Sequence, residues 1–213
     1  MKGTPLYTVA RRLLPWFFHL LMPTRIENSQ YMPVNGKVVL CCNHASMTDP
    51  VRLAFTTRRQ IFFMAKEELF AIPFVSSVIR ALGAFPVARG KGDQSAVDTA
   101  KQILDENGIL GIFIEGTRSK DGNLLRPKSG AVRFAASCGA SILPCCITPE
   151  RGKFPRLFHT CRVSFGKPIL PEELNVAEGT SLEYRNAARM VMDRIRELRE
   201  NDLKLLGTGE TTP

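Results

Sequence analysis

The sequence predicts an α/β domain in which a layered, mostly parallel or mixed sheet is flanked by helices. Short apolar runs alternate along the chain with stretches of helical periodicity, which is the pattern of strands joined by crossover helices. Several of these runs, VVLCC among them, read as buried strands. A length of 213 residues suits one such domain with a core large enough to fold alone. Hydrophobic residues make up 44% and charged residues 23%, the balance of a folded soluble domain.

Residues 5–22, PLYTVARRLLPWFFHLLM, read as one or two short helices, broken or kinked near Pro15. Trp16, Phe17 and Phe18 sit among Arg11, Arg12 and His19, which suits a helix lying in a membrane interface. A core-packed amphipathic helix shows the same pattern. The stretch LLPWFFHLLM is interrupted by Pro15 and His19 and reaches only about half the length that spans a bilayer. No A-x-A-like cleavage site follows it, so it reads as mature sequence.

VVLCC (38–42) then reads as a strand and VRLAFTTRR (51–59) as a helix. IFFMA (61–65) is a strand, residues 66–82 are helical with an interruption at Pro73, and AFPVA (84–88) is extended. SAVDTAKQILDEN (95–107) is an amphipathic helix stopped by Asn107-Gly108. ILGIFI (109–114) is a strand, and SGAVRFAASCG (129–139) a helix ended by glycine. SILPCCI (141–147) and CRVSFG (161–166) are strands, and residues 181–205 form a charged terminal helix. The chain divides into N-terminal interfacial helices (1–22), one domain (23–206) and a disordered tail, GTGETTP (207–213).

The formal net charge of +9 favours anionic partners. Nucleic acid is not expected: there is no recognition-helix pattern, no aromatic-interleaved strand and no zinc-finger spacing. The six cysteines stand at 41, 42, 138, 145, 146 and 161, and none forms a C-x-x-C pair. Neighbours on a strand point to opposite faces, so neither adjacent pair is placed to close on itself. They read as buried small hydrophobes in a reducing compartment, and no metal site is expected.

Four stretches fall where strands end, the usual place for ligands in open α/β sheets. In NHASMTDP (43–50), Asn43 and His44 follow a strand, and Asp49-Pro50 reads as a helix N-cap followed by proline at the first helical position. Through a turn, Asp49 also reaches one ring nitrogen of His44, fixing the tautomer and freeing the other nitrogen as a general base. No serine or cysteine is placed as a nucleophile, so such a pair would activate a substrate hydroxyl directly. GAFPVAR (83–89) closes on Arg89 beside glycines. FIEGTRSKDG (113–122) delivers Glu115, Gly116, Thr117 and Arg118 to a strand end, where the arginine fork and amide donors suit a phosphate. In ILPCCI (142–147), Pro144 shapes a pocket wall or marks a sheet edge. Together they point to one anion site with a histidine base.

The ordered set NHASMTD, GAFPVAR, EGTR and ILPCCI resembles the four motif blocks of the glycerolipid acyltransferases, most of all the bacterial lysophosphatidate acyltransferases. KEELFAIPF (66–74), which begins at Lys66, resembles the family's lysine-initiated stretch between the first two blocks, and the resemblance covers about residues 5–170. It implies the acyltransferase fold and transfer of a fatty acyl group from acyl-CoA or acyl carrier protein to the free hydroxyl of lysophosphatidate. It also implies His44 as base, Asp49 as its orienting partner, and Arg89 with Glu115, Gly116, Thr117 and Arg118 around the phosphate. Asn43, Lys66 and Pro144 are secondary candidates. No metal, cofactor or acyl-enzyme is implied, and the backbone after His44 is a candidate oxyanion donor. A peripheral or monotopic place on the cytoplasmic face of the cell membrane follows from the lipid acceptor. Two positions depart from the family, Ile114 where many members carry proline, and Pro86 inside the second block. The blocks leave open another lysophospholipid or lyso-ornithine lipid as acceptor, or a non-catalytic lipid-binding role.

Overall fold

VVLCC forms strand β2 (Val38–Cys42), buried along its whole length. The computed structural model describes residues 15–88 and 93–207, and β2 lies at the centre of a seven-stranded sheet. The other strands are β1 (Thr24–Glu27), β3 (Ile61–Lys66), β4 (Ala84–Val87), β5 (Ile109–Phe113), β6 (Ser141–Pro149) and β7 (Cys161–Phe165). Their spatial order is β1-β7-β6-β2-β5-β3-β4. Strands β6, β2, β5, β3 and β4 run parallel, β7 is antiparallel to β6, and β1 follows the direction of β7. The mixed α/β sheet read from the sequence is the one observed.

The described helices are α1 (Pro15–Leu21), α2 (Asp49–Ala54), α3 (Pro73–Ala81), α4 (Gln94–Asp105), α5 (Gly130–Cys138) and α6 (Ser181–Gly207). The period-two alternation of β2 divides the core. Val39 and Cys41 face buried residues of α4, α5 and α6, while Val38, Leu40 and Cys42 face Leu53 of α2 on the other side. Cys146 shares the first face and Cys145 the second, so adjacent cysteines are separated by the sheet itself, and all six thiols are free. Burial raises the thiol pKa of Cys41, Cys42, Cys145 and Cys146.

Some expectations need correction. The helix expected over 51–59 stops at Ala54. Arg59 explains the stop: its guanidinium donates to the carbonyls of Pro33 and Gly36, holding the stretch before β3 as a turn. Strand β1 was not expected, because TRIE pairs only at the sheet edge and its one large apolar residue, Ile26, is exposed. Gly207, assigned to the tail, belongs to α6. Residues 1–14 and 208–213, and with them most of the expected N-terminal helices and tail, lie outside the described residues. Pro86 is tolerated because β4 is an edge strand with β3 as its single neighbour.

Candidate active site

Asn43 follows the last residue of β2 and prolongs its ladder. Its Oδ1 accepts from the Ile147 N–H at 2.8 Å and its Nδ2 donates to the Ile147 carbonyl at 3.1 Å. The buried amide thus takes the place of a peptide group opposite β6, and the main chain turns out of the sheet at His44.

The next five residues form a tight turn closed by one carboxylate. Asp49 Oδ2 lies 2.9 Å from His44 Nδ1, and it accepts the N–H groups of Ala45 and Ser46 at 2.8 Å each. An ionised carboxylate only accepts, so His44 carries its proton on Nδ1 and presents Nε2 as a lone pair. The expectation that Asp49 caps its own helix is corrected: Thr48 is the N-cap, Asp49 is the first helical residue, and its side chain folds back over the turn. The same contacts occupy the Ala45 and Ser46 N–H groups, which removes both as the expected oxyanion donors.

Two neighbours fix this turn, buried Arg52 and half-buried Phe113. Arg52, one turn along α2, donates from Nη1 to the Pro23 carbonyl and to Thr24 Oγ1 at 2.8 Å each, tying the helix to the start of β1. The ring of Phe113, last residue of β5, stacks on His44 with centroids 3.9 Å apart, and Phe63 of β3 stacks on Phe113 at 5.7 Å. Gly111 leaves the room for this column, since a Cβ there would stand 2.3 Å from the Phe63 ring.

The EGTR stretch grips the same histidine by its backbone. The Ser119 N–H donates to the His44 carbonyl at 2.8 Å, and the buried Glu115 carboxylate accepts from the His44 and Leu125 backbone. Burial pushes the Glu115 carboxyl up to about 7, against the pull of those hydrogen bonds and of the Arg199 charge, while Asp49 adds to the rise. The turn itself is closed by the Gly116 N–H on the Phe113 carbonyl at 2.9 Å, with Gly116 at a φ of +70° that a side chain rarely adopts. Ile114 donates its N–H to the Cys42 carbonyl at 3.0 Å, a bond that a proline at this position lacks.

Thr117 and Arg118 are exposed, and Arg118 makes no hydrogen bond or ion pair among the described residues. Lys66 is exposed at the same edge, at the end of β3. Pro144 stands apart: it is buried within β6, in register with Cys41, roughly 10 Å down the strand from the turn. Arg89 lies outside the described residues. His44, Asp49, Glu115 and Asn43 are thus brought together. Phe113, Phe63, Gly111, Ser119 and Arg52 belong to the same assembly although the sequence reading did not single them out. Of these only Phe113 carried a signal, as the aromatic residue at a strand end next to EGTR.

An imidazole held in one tautomer at the carboxyl edge of an open α/β sheet, gripped by a loop that turns an arginine to solvent, is an arrangement suited to general-base chemistry in an α/β enzyme. Residues 23–148, more than half of the chain, match the family described as Acyltransferase, and the chain belongs to that family. The 1-acyl-sn-glycerol-3-phosphate acyltransferase of Bacillus subtilis (strain 168) is 31% identical over 188 residues, covering 85% of this chain and 90% of its own. The protein of the same name from Borreliella burgdorferi is 31% identical over 121 residues, 56% of this chain and 48% of the relative's length. Among solved structures, the 1-acyl-sn-glycerophosphate acyltransferase of Thermotoga maritima superposes with a TM-score of 0.67 at 25% identity, over 92% of this chain and 78% of that one.

Proposed function

We propose that this acyltransferase moves a fatty acyl group from an acyl thioester to the free hydroxyl of lysophosphatidate, giving phosphatidate for phospholipid synthesis. The observation that carries the reading is the His44–Asp49 pair, 2.9 Å apart at the strand end. His44 Nε2 takes the hydroxyl proton as the oxygen attacks the thioester carbon, and Asp49 stabilises the imidazolium that forms. Collapse of the tetrahedral intermediate breaks the carbon–sulfur bond, and the imidazolium returns its proton to the leaving thiolate. The Asp49 carboxylate stays ionised throughout.

Arg118 and Thr117 take the acceptor's phosphate, with Arg89 as a further cation from the second block, while Gly116, its N–H held by the Phe113 carbonyl, shapes the turn that presents them. Glu115 acts from behind the site, positioning the His44 backbone. Asn43 anchors the strand end from which the turn springs. Lys66 adds charge at the rim, and Pro144 serves packing within β6. The co-substrate is acyl-CoA or acyl carrier protein, and the reaction uses no other cofactor and no metal. The similarity to proteins named 1-acyl-sn-glycerol-3-phosphate acyltransferases supports the acceptor assignment.

A lipid acceptor places the enzyme at the cytoplasmic face of the cell membrane, with residues 1–22 in the interface. Among the described residues no helix is long and apolar enough to cross a membrane. The test is product formation followed by mass spectrometry, with lysophosphatidate and a panel of acyl-CoA and acyl carrier protein donors, for wild type and His44→Ala. Phosphatidate from the wild type alone is the expected result. Equal product from both proteins removes His44 from the mechanism, and product only from another lyso-lipid reassigns the acceptor.

A further inference from the structure

The direction of the strands brings a second segment to the edge that carries the His44 turn. Strand β6 is parallel to β2 and in register with it at Cys42 and Cys145, but it continues four residues further, to Pro149. The β6–β7 connection therefore starts roughly 13 Å beyond the end of β2 on the active-site side. Because β1 runs with β7, the C-terminal end of α1 arrives at the same edge, where Thr24, Cys161 and Pro149 stand in one row.

That connection, residues 150–160, reads ERGKFPRLFHT. Its one acidic residue, Glu150, is paired with Arg25 and Arg162 at the base, and beyond it the connection carries Arg151, Lys153 and Arg156 with no further acid. At its tip Leu157 is 47% exposed and Phe158 64%. Phe158 has a φ of +62°, a conformation disfavoured for a bulky side chain. It is held there by its own N–H, which donates to the Leu21 carbonyl at the end of α1 at 2.7 Å. Leu20 of α1 is itself 60% exposed. An ordered backbone thus presents adjacent large apolar side chains to solvent, with cations interleaved, above the catalytic turn.

We propose that residues 151–160 of the β6–β7 connection are a membrane anchor in their own right, which seats the active-site edge on an anionic leaflet, with Leu157 and Phe158 among the acyl chains and Arg151, Lys153 and Arg156 at the headgroup phosphates. The inference rests on the reading of the acceptor as a membrane lipid. Apolar tips flanked by cations match a bilayer interface, where each class of side chain meets its own layer. An acidic carrier protein matches only the cations, and it is the competing occupant. Anchoring here serves the reaction by shortening the path of a lyso-lipid from the leaflet to His44.

The test uses the full chain and sedimentation with two kinds of vesicle, phosphatidylcholine alone and phosphatidylcholine mixed with phosphatidylglycerol. The apolar variant is Leu157→Ser with Phe158→Asn, and the charge variant is Arg151→Gln with Lys153→Gln and Arg156→Gln. The apolar variant should bind mixed vesicles at least about tenfold more weakly. The charge variant should lose affinity for the mixed vesicles and little for phosphatidylcholine alone. Both should melt like the wild type and turn over a short-chain, monomeric lysophosphatidate at the wild-type rate. Unchanged vesicle binding in both variants overturns the proposal. So does a defect confined to acyl carrier protein as donor, which would make the loop a protein dock. If the wild type turns over no lyso-lipid at all, the proposed reaction fails, while vesicle partition still decides the anchor.

Discussion

One oxygen of Asp49 holds three groups of the turn that carries His44: the ring nitrogen Nδ1 at 2.9 Å and the N–H groups of Ala45 and Ser46. The charge that fixes the tautomer is therefore also the clasp of the loop. Asp49→Asn keeps the size of the clasp and removes its charge. It should lower kcat by about 10²- to 10⁴-fold, as expected when a base loses its orienting carboxylate, with a smaller change in KM. Steady-state kinetics on lysophosphatidate measure this, and a kcat within threefold of wild type (about 0.65 kcal/mol) would leave Asp49 a structural residue only.

Asn43 is expected to matter for stability before chemistry. Asn43→Leu strips the Ile147 N–H and carbonyl of their partners inside the core. Leaving both groups unsatisfied should cost about 2–4 kcal/mol, read as a lower urea midpoint at an unchanged m value. An unmoved midpoint would show that Ile147 finds other partners.

Gly111→Ala probes the ring column under the histidine. The added methyl would stand 2.3 Å from the Phe63 ring and 2.7 Å from Ile61 Cγ2, so the rings must move. Overpacking should cost about 1–3 kcal/mol and displace Phe113 from beneath His44. Lower kcat in protein that is still folded is the expected pattern, and a drop in stability with wild-type kcat would dissociate the stack from catalysis.

The first and third blocks were legible in the sequence because their chemistry lies in short stretches at the ends of β2 and β5, which pair side by side, whereas Pro144 of the fourth block lies inside β6. What joins the blocks was not legible. The Ser119 N–H on the His44 carbonyl and the Phe113 ring on the His44 imidazole are contacts between strands far apart in the chain. Periodicity reports the burial of a segment, and it does not report which segment lies next to it. Helix α2 was overread for the same reason, since the residue that ends it, Arg59, bonds to carbonyls of another loop. Strand β1 was missed because an edge strand with one paired side buries too little to leave an apolar pattern. Buried Arg52 had no sequence signal, because a lone arginine in a short helix reads as surface.

Arg118 should separate acceptor from donor. Its exposed guanidinium has no partner of its own among the described residues, so Arg118→Ala should leave the fold unchanged. Loss of a charge-assisted contact to phosphate should raise the acceptor KM about 10- to 100-fold, with the thioester KM nearly constant. Equal effects on both substrates would place Arg118 at the mouth of the site and not on the phosphate.

Glu115 makes a prediction about pH whose sign is fixed by its burial. Burial pushes its carboxyl up to about 7 in the folded protein, against 4.5 for an ordinary glutamate. Between those two values the folded protein holds a proton that the unfolded chain has released, so stability falls as pH rises through the window and levels off above about 7. The full difference is on the order of 3 kcal/mol. Glu115→Gln keeps a carbonyl to accept from the His44 and Leu125 backbone and abolishes the titration. Relative to wild type, the variant should therefore gain stability from pH 5 to about pH 7, and the melting-temperature difference between the two proteins should widen in favour of glutamine over that range and hold constant above it. If the two melting curves instead shift in parallel with pH, Glu115 is not the titrating group, and its carboxylate is ionised in the folded protein well below neutrality.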